Sequence, residues 1–488
     1  MWNKIILIAA LGGSYTALAD DNIPIKLSTC ADRPVAITPA LIKEGRKLFK
    51  EETFNGNGRT CETCHRENHN FTIDPEYIAK LPKHDPLFVA ENNPDLHNLE
   101  DPVMMRKFGL ILANSDGFDK SGVLRSAPHL LGLSQTIAIG VREFDNIDDL
   151  IGHPVHETGW SADGAPGDGS LRCFPAGSIK QHFTKSMNRD EGHDFRLPTE
   201  HELDALLAYQ LSLGRQNTPQ VSSLSFREPA ADRGKTLFFS NIPASNGQTN
   251  NCSQCHTEAG ANNGKTFQAR NSVTNANLSP NAPVCRGLAI NPPLAIPADG
   301  GFGRVKYLDN ISCATQDISV TLYSEQVQNP HGFFNTPSLY EAADTAPYFH
   351  NNSAETLEDA IKFYSSDVFG AANGQAFIFG PTDVNDIGAF LRAINAIENA
   401  RSAIDNVNKA LAASGKKIDN DSLEAALADT KDGIKVLTKG PLPRLFPKAV
   451  KLFRDANHLL RLAMIFRNRD VANYAKTKLA AVSSQIAQ

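Results

Sequence analysis

The sequence predicts a mainly α-helical chain in which one helical domain occurs twice in tandem, with a further helical module appended at the C-terminus. Three observations lead there. E44-G-R-K-L-F49 precedes C61-E-T-C-H65, and R233-G-K-T-L-F238 precedes C252-S-Q-C-H256, so one unit is repeated. From about Ala400 onward, Ala, Lys, Leu and Asp recur with helical periodicity. Little β structure is signalled, and 488 residues suffice for about three domains.

In chain order, residues 1–19 read as a signal peptide. Lys4 supplies the positive start, Ile5 to Leu11 the apolar run, and Ala17-Leu18-Ala19 the small-residue cleavage site. That run is too short to span a bilayer, and no later stretch is long and apolar enough. A periplasmic or secreted protein without a transmembrane segment is expected. The first domain, 36–222, opens with a helix capped by Thr38-Pro39 that carries Leu41, Leu48 and Phe49 on one face. N55-G-N-G58 turns the chain into the first Cys pair. L197 to G214 closes the domain as a helix with Thr199 at its N-cap, Glu202 completing a capping box, and a Gly stop. S222-S-L-S225 reads as a linker. The second domain, 223–397, repeats the plan and closes with a helix from Val384 to about Ile397. Residues 66–125 and 257–330 read as loops. The module at 398–488 reads as helices over 400–413, 421–437 and 445–485, broken by G415-K-K and G440-P-L-P443.

Two complete C-x-x-C-H copies use four of the eight cysteines. In this pattern two thiols form thioethers with a porphyrin and the adjacent imidazole reaches its iron, so Cys61, Cys64, His65, Cys252, Cys255 and His256 are expected to hold two covalently bound haem c groups. The fold class is therefore two tandem cytochrome c-like haem domains plus a helical extension. Paired zinc knuckles are the rival, since the same residue types bind zinc. In an oxidising compartment the other cysteines can pair. Cys285 with Cys313, in one loop-rich insertion, is the favoured bridge, and Cys30 with Cys173 follows by elimination; free buried thiols are the alternative. The net charge is −6, yet residues 398–488 hold sixteen Lys or Arg against nine Asp or Glu. The remaining acidic part suits a basic electron-donor protein or protein substrate, and no nucleic-acid partner is expected.

N335-T-P-S-L339, T345-A-P-Y-F-H350 and T356-L-E-D-A360 resemble, in order and spacing, the C-terminal haem domain of the bacterial di-haem cytochrome c peroxidase and MauG family. L124-R-S-A-P-H-L-L131 and G159-W160 carry a looser resemblance in the first domain. The resemblance covers about residues 36–397. It implies that His65 and His256 are proximal ligands, with the first haem the site of peroxide chemistry and the second an electron reservoir. It makes Tyr364, fourteen places after His350, the distal ligand of the second haem, where peroxidases carry Met and MauG-like enzymes Tyr. It makes Trp160 a relay between the haems, and the carbonyls of Thr345 and Pro347 ligands of a calcium ion. Ser126 stands where the family offers an Asn to that ion, so one ligand is lost.

The family's distal Glu, which moves protons as peroxide cleaves, has no match in S170 to M187. His182, Gln181 and Arg172 are the polar substitutes there, and His182 is the candidate catalytic base. The expected activity is a haem peroxidase-type oxidoreductase acting on hydrogen peroxide. A di-haem oxygenase of the rubber-cleaving type, using dioxygen, and a non-catalytic electron-transfer cytochrome are the alternatives.

Overall fold

The computed structural model describes residues 24–26, 30–113, 123–136, 170–217, 219–254, 256–260, 283–285, 295–297, 337–349, 352, 354–365, 376–412, 418–442 and 444–488. The protein is mainly helical. Its strands, among the described residues, are two to four residues long and form three separate antiparallel pairs, one of them β1 (Leu110–Ala113) with β2 (Val123–Ser126). Among the same residues no helix is long and apolar enough to cross a membrane.

The repeat in the sequence is a repeat in packing. Helix α1 (Pro39–Glu51) starts as expected, with Thr38 Oγ1 accepting from the Leu41 amide. Helix α2 (Phe174–His182) and helix α3 (Glu200–Leu211) follow, and α3 carries the Thr199/Glu202 capping box. Helix α1 crosses α3 with Gly45 at the contact: a Cβ there would stand 1.9 Å from the Ala205 carbonyl oxygen. In the second copy, helix α4 (Pro229–Phe239) crosses a long helix the same way, and a Cβ on Gly234 would stand 1.8 Å from the Asp386 carbonyl oxygen. Phe49 and Phe238 are buried in the matching positions, four residues further on. Only glycine lets two helix backbones approach this closely.

A short helix α5 (Leu357–Phe363) precedes that long helix, α6 (Asp383–Ala412). A helix ending near Ile397 and another beginning at 400 are not found. Neither Gly nor Pro interrupts the 30-residue α6 after Gly388, and its buried face continues through Ala396, Ala400, Ala403, Val407 and Ala410. The helix therefore crosses the boundary drawn at 397/398. Helices α7 (Asn420–Thr438) and α9 (Arg469–Ala480) pack on it, α8 (Pro447–Phe466) packs on α7 and α9, and all three share one apolar core with the half that carries the second C-x-x-C-H motif. The single helix expected over 445–485 is also broken, because Arg467 takes a left-handed conformation and the Asn468 side chain caps a new start at Arg469 by accepting from the Asp470 amide. The C-terminus returns to the linker: Ser225 and Gln488 exchange backbone hydrogen bonds of 3.2 and 3.0 Å.

Cys30 and Cys173 form a disulfide, Cα to Cα 5.8 Å, as elimination predicted. The favoured pair is not addressed, since Cys313 and the Cys285 side chain lie outside the described residues.

Candidate functional site

The first Cys pair is placed by the loop before it. The Asn57 amide donates 2.9 Å bonds to the carbonyls of His182 and Thr184, and the Asn57 backbone N–H bonds Phe183 at 2.8 Å. Gly56 is required there, since a Cβ would stand 2.2 Å from the Phe183 carbonyl oxygen. The N-G-N-G turn thus grips the C-terminal end of α2. Cys61–Thr63 then form one 3-10 turn, closed by Thr63 Oγ1 accepting from the Thr60 amide.

His65 is fixed by its Nδ1, 2.9 Å from the Phe71 carbonyl. A carbonyl can only accept, so Nδ1 carries the proton and Nε2 is left bare as a ligand. Burial also lowers the His65 pKa and keeps the ring neutral. Cys61, Cys64 and His65 line an open cleft with Phe49, Phe174 and Phe183. Burial pushes the Cys61 and Cys64 thiols up to about 12 and about 11. Among the described residues no three His, Cys, Asp or Glu side chains converge as a metal-ion site, these included. Two thiols and an imidazole spread along a large apolar cleft fit the edge and face of a porphyrin, and do not fit a tetrahedral zinc centre.

His182 stands on the wall of the same cleft, at the end of α2. Gln181 also lines it and is buried. Arg172 does not: it is buried behind α3, bonding Asp204 at 2.7 Å, the Ala31 carbonyl at 2.9 Å, and Glu200. Its role is to hold the N-terminal segment to α3.

Sequence reading missed Glu100. Between Ser170 and Met187 there is no carboxylate, but the buried Glu100 enters from elsewhere in the chain, Oε1 lying 3.5 Å from His182 Nδ1. The same oxygen accepts from Arg59 Nη1 at 2.7 Å, and Oε2 accepts from the Leu112 amide at 2.8 Å. Burial alone would raise the Glu100 carboxyl; the Arg59 guanidinium and the His182 ring outweigh it and hold it below the usual range. No local pattern marks Glu100, because its partners are 41 and 82 positions away. His129 was missed too. It lines the cleft, and burial, then the neighbouring His65, push it down to about 4.

At the second motif, His256 is buried with Nδ1 3.0 Å from the Pro337 carbonyl, the same arrangement as His65 and Phe71. Burial pushes its pKa down to about 4. Tyr364 ends α5 and packs edge-on to Phe377, in the apolar cluster that also holds Cys252. Thr345 and Pro347 lie where the two halves meet. Ser126 donates to the Phe349 carbonyl at 3.3 Å, and Asn352 donates to the Phe108 carbonyl at 2.9 Å. Trp160 and Cys255 lie outside the described residues.

The profile of a family described as a domain of unknown function, DUF1924, matches residues 224–286, around the second Cys pair. Among curated proteins, the chain is similar to cytochrome-c peroxidase IdrP1 of Denitromonas iodatirespirans, 35% identical over 83 residues. That match covers 16% of this chain and 22% of the relative's length. Among solved structures, hydrazine synthase of Kuenenia stuttgartiensis aligns over 80% of this chain and 99% of that one, at 16% identity and a TM-score of 0.36. A MauG-like protein associated with microbial copper homeostasis aligns over 76% and 91%, at 15% identity and a TM-score of 0.32.

Proposed function

We propose that this chain is an exported di-haem c-type oxidoreductase that reduces hydrogen peroxide, with Cys61, Cys64 and His65 holding one haem and Cys252, Cys255 and His256 the other. The observation that carries this is an apolar cleft lined both by Cys61, Cys64 and His65 and by His182. The partial similarity to a cytochrome-c peroxidase supports the reaction class.

Bound haem supplies the redox centre, and the chain supplies ligands, proton handling and access. His65 and His256 would each hold a haem iron through Nε2, and Tyr364 would supply a further ligand to the second. Peroxide takes up two electrons and two protons and leaves as two water molecules. His182 accepts a proton from one peroxide oxygen and returns it to the other, a role that contributes about 10²–10⁴-fold in rate. Phe174 and Phe183 keep bulk water from the reacting oxygens. A basic donor protein would bind the acidic part of the chain, and Trp160 would relay its electrons. The carbonyls of Thr345 and Pro347 would be ligands for a calcium ion. Export to the periplasm follows cleavage near Ala19.

An oxygenase acting on dioxygen is the second reading, favoured by the same two phenylalanines. Rapid mixing with peroxide separates them: a fast change in the Soret band, slowed in His182→Ala, is the result expected of a peroxidase. No reaction with peroxide, with a stable dioxygen complex instead, overturns it.

A further inference from the structure

We propose that Glu100 is a positioning residue for His182, holding its imidazole with Nδ1–H toward the carboxylate and the Nε2 lone pair toward the cleft. This rests on the reading of His182 as the base of that cleft, and adds to it the group that makes the base work.

The carboxylate cannot turn away. Its Oε2 is held by the Leu112 amide and its Oε1 by Arg59 Nη1. Arg59 is itself buried and anchored by the carbonyls of Leu87 at 2.8 Å and Pro86 at 3.2 Å. The backbone of His182 is held as well, since its carbonyl accepts from the Asn57 side chain. Its Nδ1 is buried and has no hydrogen-bond partner among the described residues, while Glu100 Oε1 lies 3.5 Å away, an ion-pair distance slightly beyond a hydrogen bond. A buried ring nitrogen beside an ionised carboxylate is favourable only if it carries a proton, because two acceptors would repel. The side chain keeps 20% exposure. The buried nitrogen is Nδ1, and the side chain as a whole lines the cleft, so we place Nε2 on the cleft side. One ring then presents a proton acceptor to the cleft, and the imidazolium formed when it takes a proton is stabilised by Glu100.

Histidine 15N spectra of the reduced, carbon-monoxide-treated holoprotein read the tautomer without any variant. The expected result is a protonated Nδ1 and a bare Nε2 on His182; the reverse assignment overturns the proposal. The kinetic test compares Glu100→Gln, His182→Ala and the double variant in their reaction with peroxide, with haem content measured alongside. Glu100→Gln is expected to slow the reaction roughly 10- to 100-fold, the range for losing an orienting partner of a histidine, and to add nothing in the His182→Ala background. Equal slowing in both backgrounds, or none in either, overturns it. If Glu100→Gln fails to fold because Arg59 is left buried and unpaired, the tautomer still decides. If His182→Ala reacts as wild type, the proton step of the proposed function falls, while the tautomer separately decides the placement by Glu100.

Discussion

Gly234 and Asp386 touch backbone to backbone: a Cβ added to the first would stand 1.8 Å from the carbonyl oxygen of the second, and Arg233 beside them pairs with the Asp386 carboxylate through two 2.8 Å bonds. The first half repeats the crossing at Gly45 and Ala205. A methyl group at either glycine must push two helices apart. Gly45→Ala and Gly234→Ala should each cost about 1–3 kcal/mol, read as a lowered melting temperature. Wild-type melting of both variants would show that the crossings are looser than described.

Asn57 links the loop before Cys61 to the end of α2. Asn57→Ala removes its bonds to the Thr184 and His182 carbonyls, the second of which keeps a 3.4 Å bond from Arg59 Nη1, and should cost about 1–3 kcal/mol. Because it also frees His182, the peroxide reaction should slow more than the loss of folded protein explains. A variant that is less stable but reacts at the wild-type rate per folded molecule would confine Asn57 to a structural role.

The helices after residue 400 should weaken as the pH rises. Burial pushes the Asp429 carboxyl up to about 7, although Asn406 donates to it at 2.9 Å, and pushes Asp344 up to about 6 against bonds from Asn399 and Asn395. A carboxyl raised in the folded state binds a proton there that the unfolded chain, with a pKa near 3.9, has already released. Its contribution is therefore complete below about pH 4 and is lost as the pH climbs through about 6 to 7. Asp429 keeps part of its surface in water, so its share should be nearer ~1–2 kcal/mol than the ~4 kcal/mol that complete burial would give. Urea unfolding at pH 5 and pH 8 measures this, and Asp429→Asn should flatten the difference. Equal stability at both pH values would contradict it.

Tyr364 shares an apolar cluster with Cys252. Tyr364→Met replaces a hard phenolic oxygen with a thioether and should raise the potential of the second haem and change its ferric spectrum. An unchanged spectrum and potential would reduce Tyr364 to packing against Phe377.

Much of the helical frame was legible because local chemistry specifies it. Thr38-Pro39 and the Thr199/Glu202 box start the helices that follow them, and a duplicated Gly before Leu-Phe marks two equivalent crossings. The continuity of α6 was not legible, because a helix end is recognised by a stop signal and the text around 397–400 neither carries one nor shows what lies above it. The break at Arg467 was hidden for the opposite reason, since a left-handed arginine has no signature in sequence. At the site, the two C-x-x-C-H motifs are read from their spacing alone. Glu100 reaches His182 only through tertiary packing, so no reading of the segment around His182 could contain it.

The most direct measurement is the haem content of correctly exported protein after denaturation and acid extraction. About two covalently attached haems per chain are predicted, with one remaining after Cys61 and Cys64 are replaced and the other after Cys252 and Cys255 are replaced. Bound zinc with no porphyrin would contradict the assignment of both motifs.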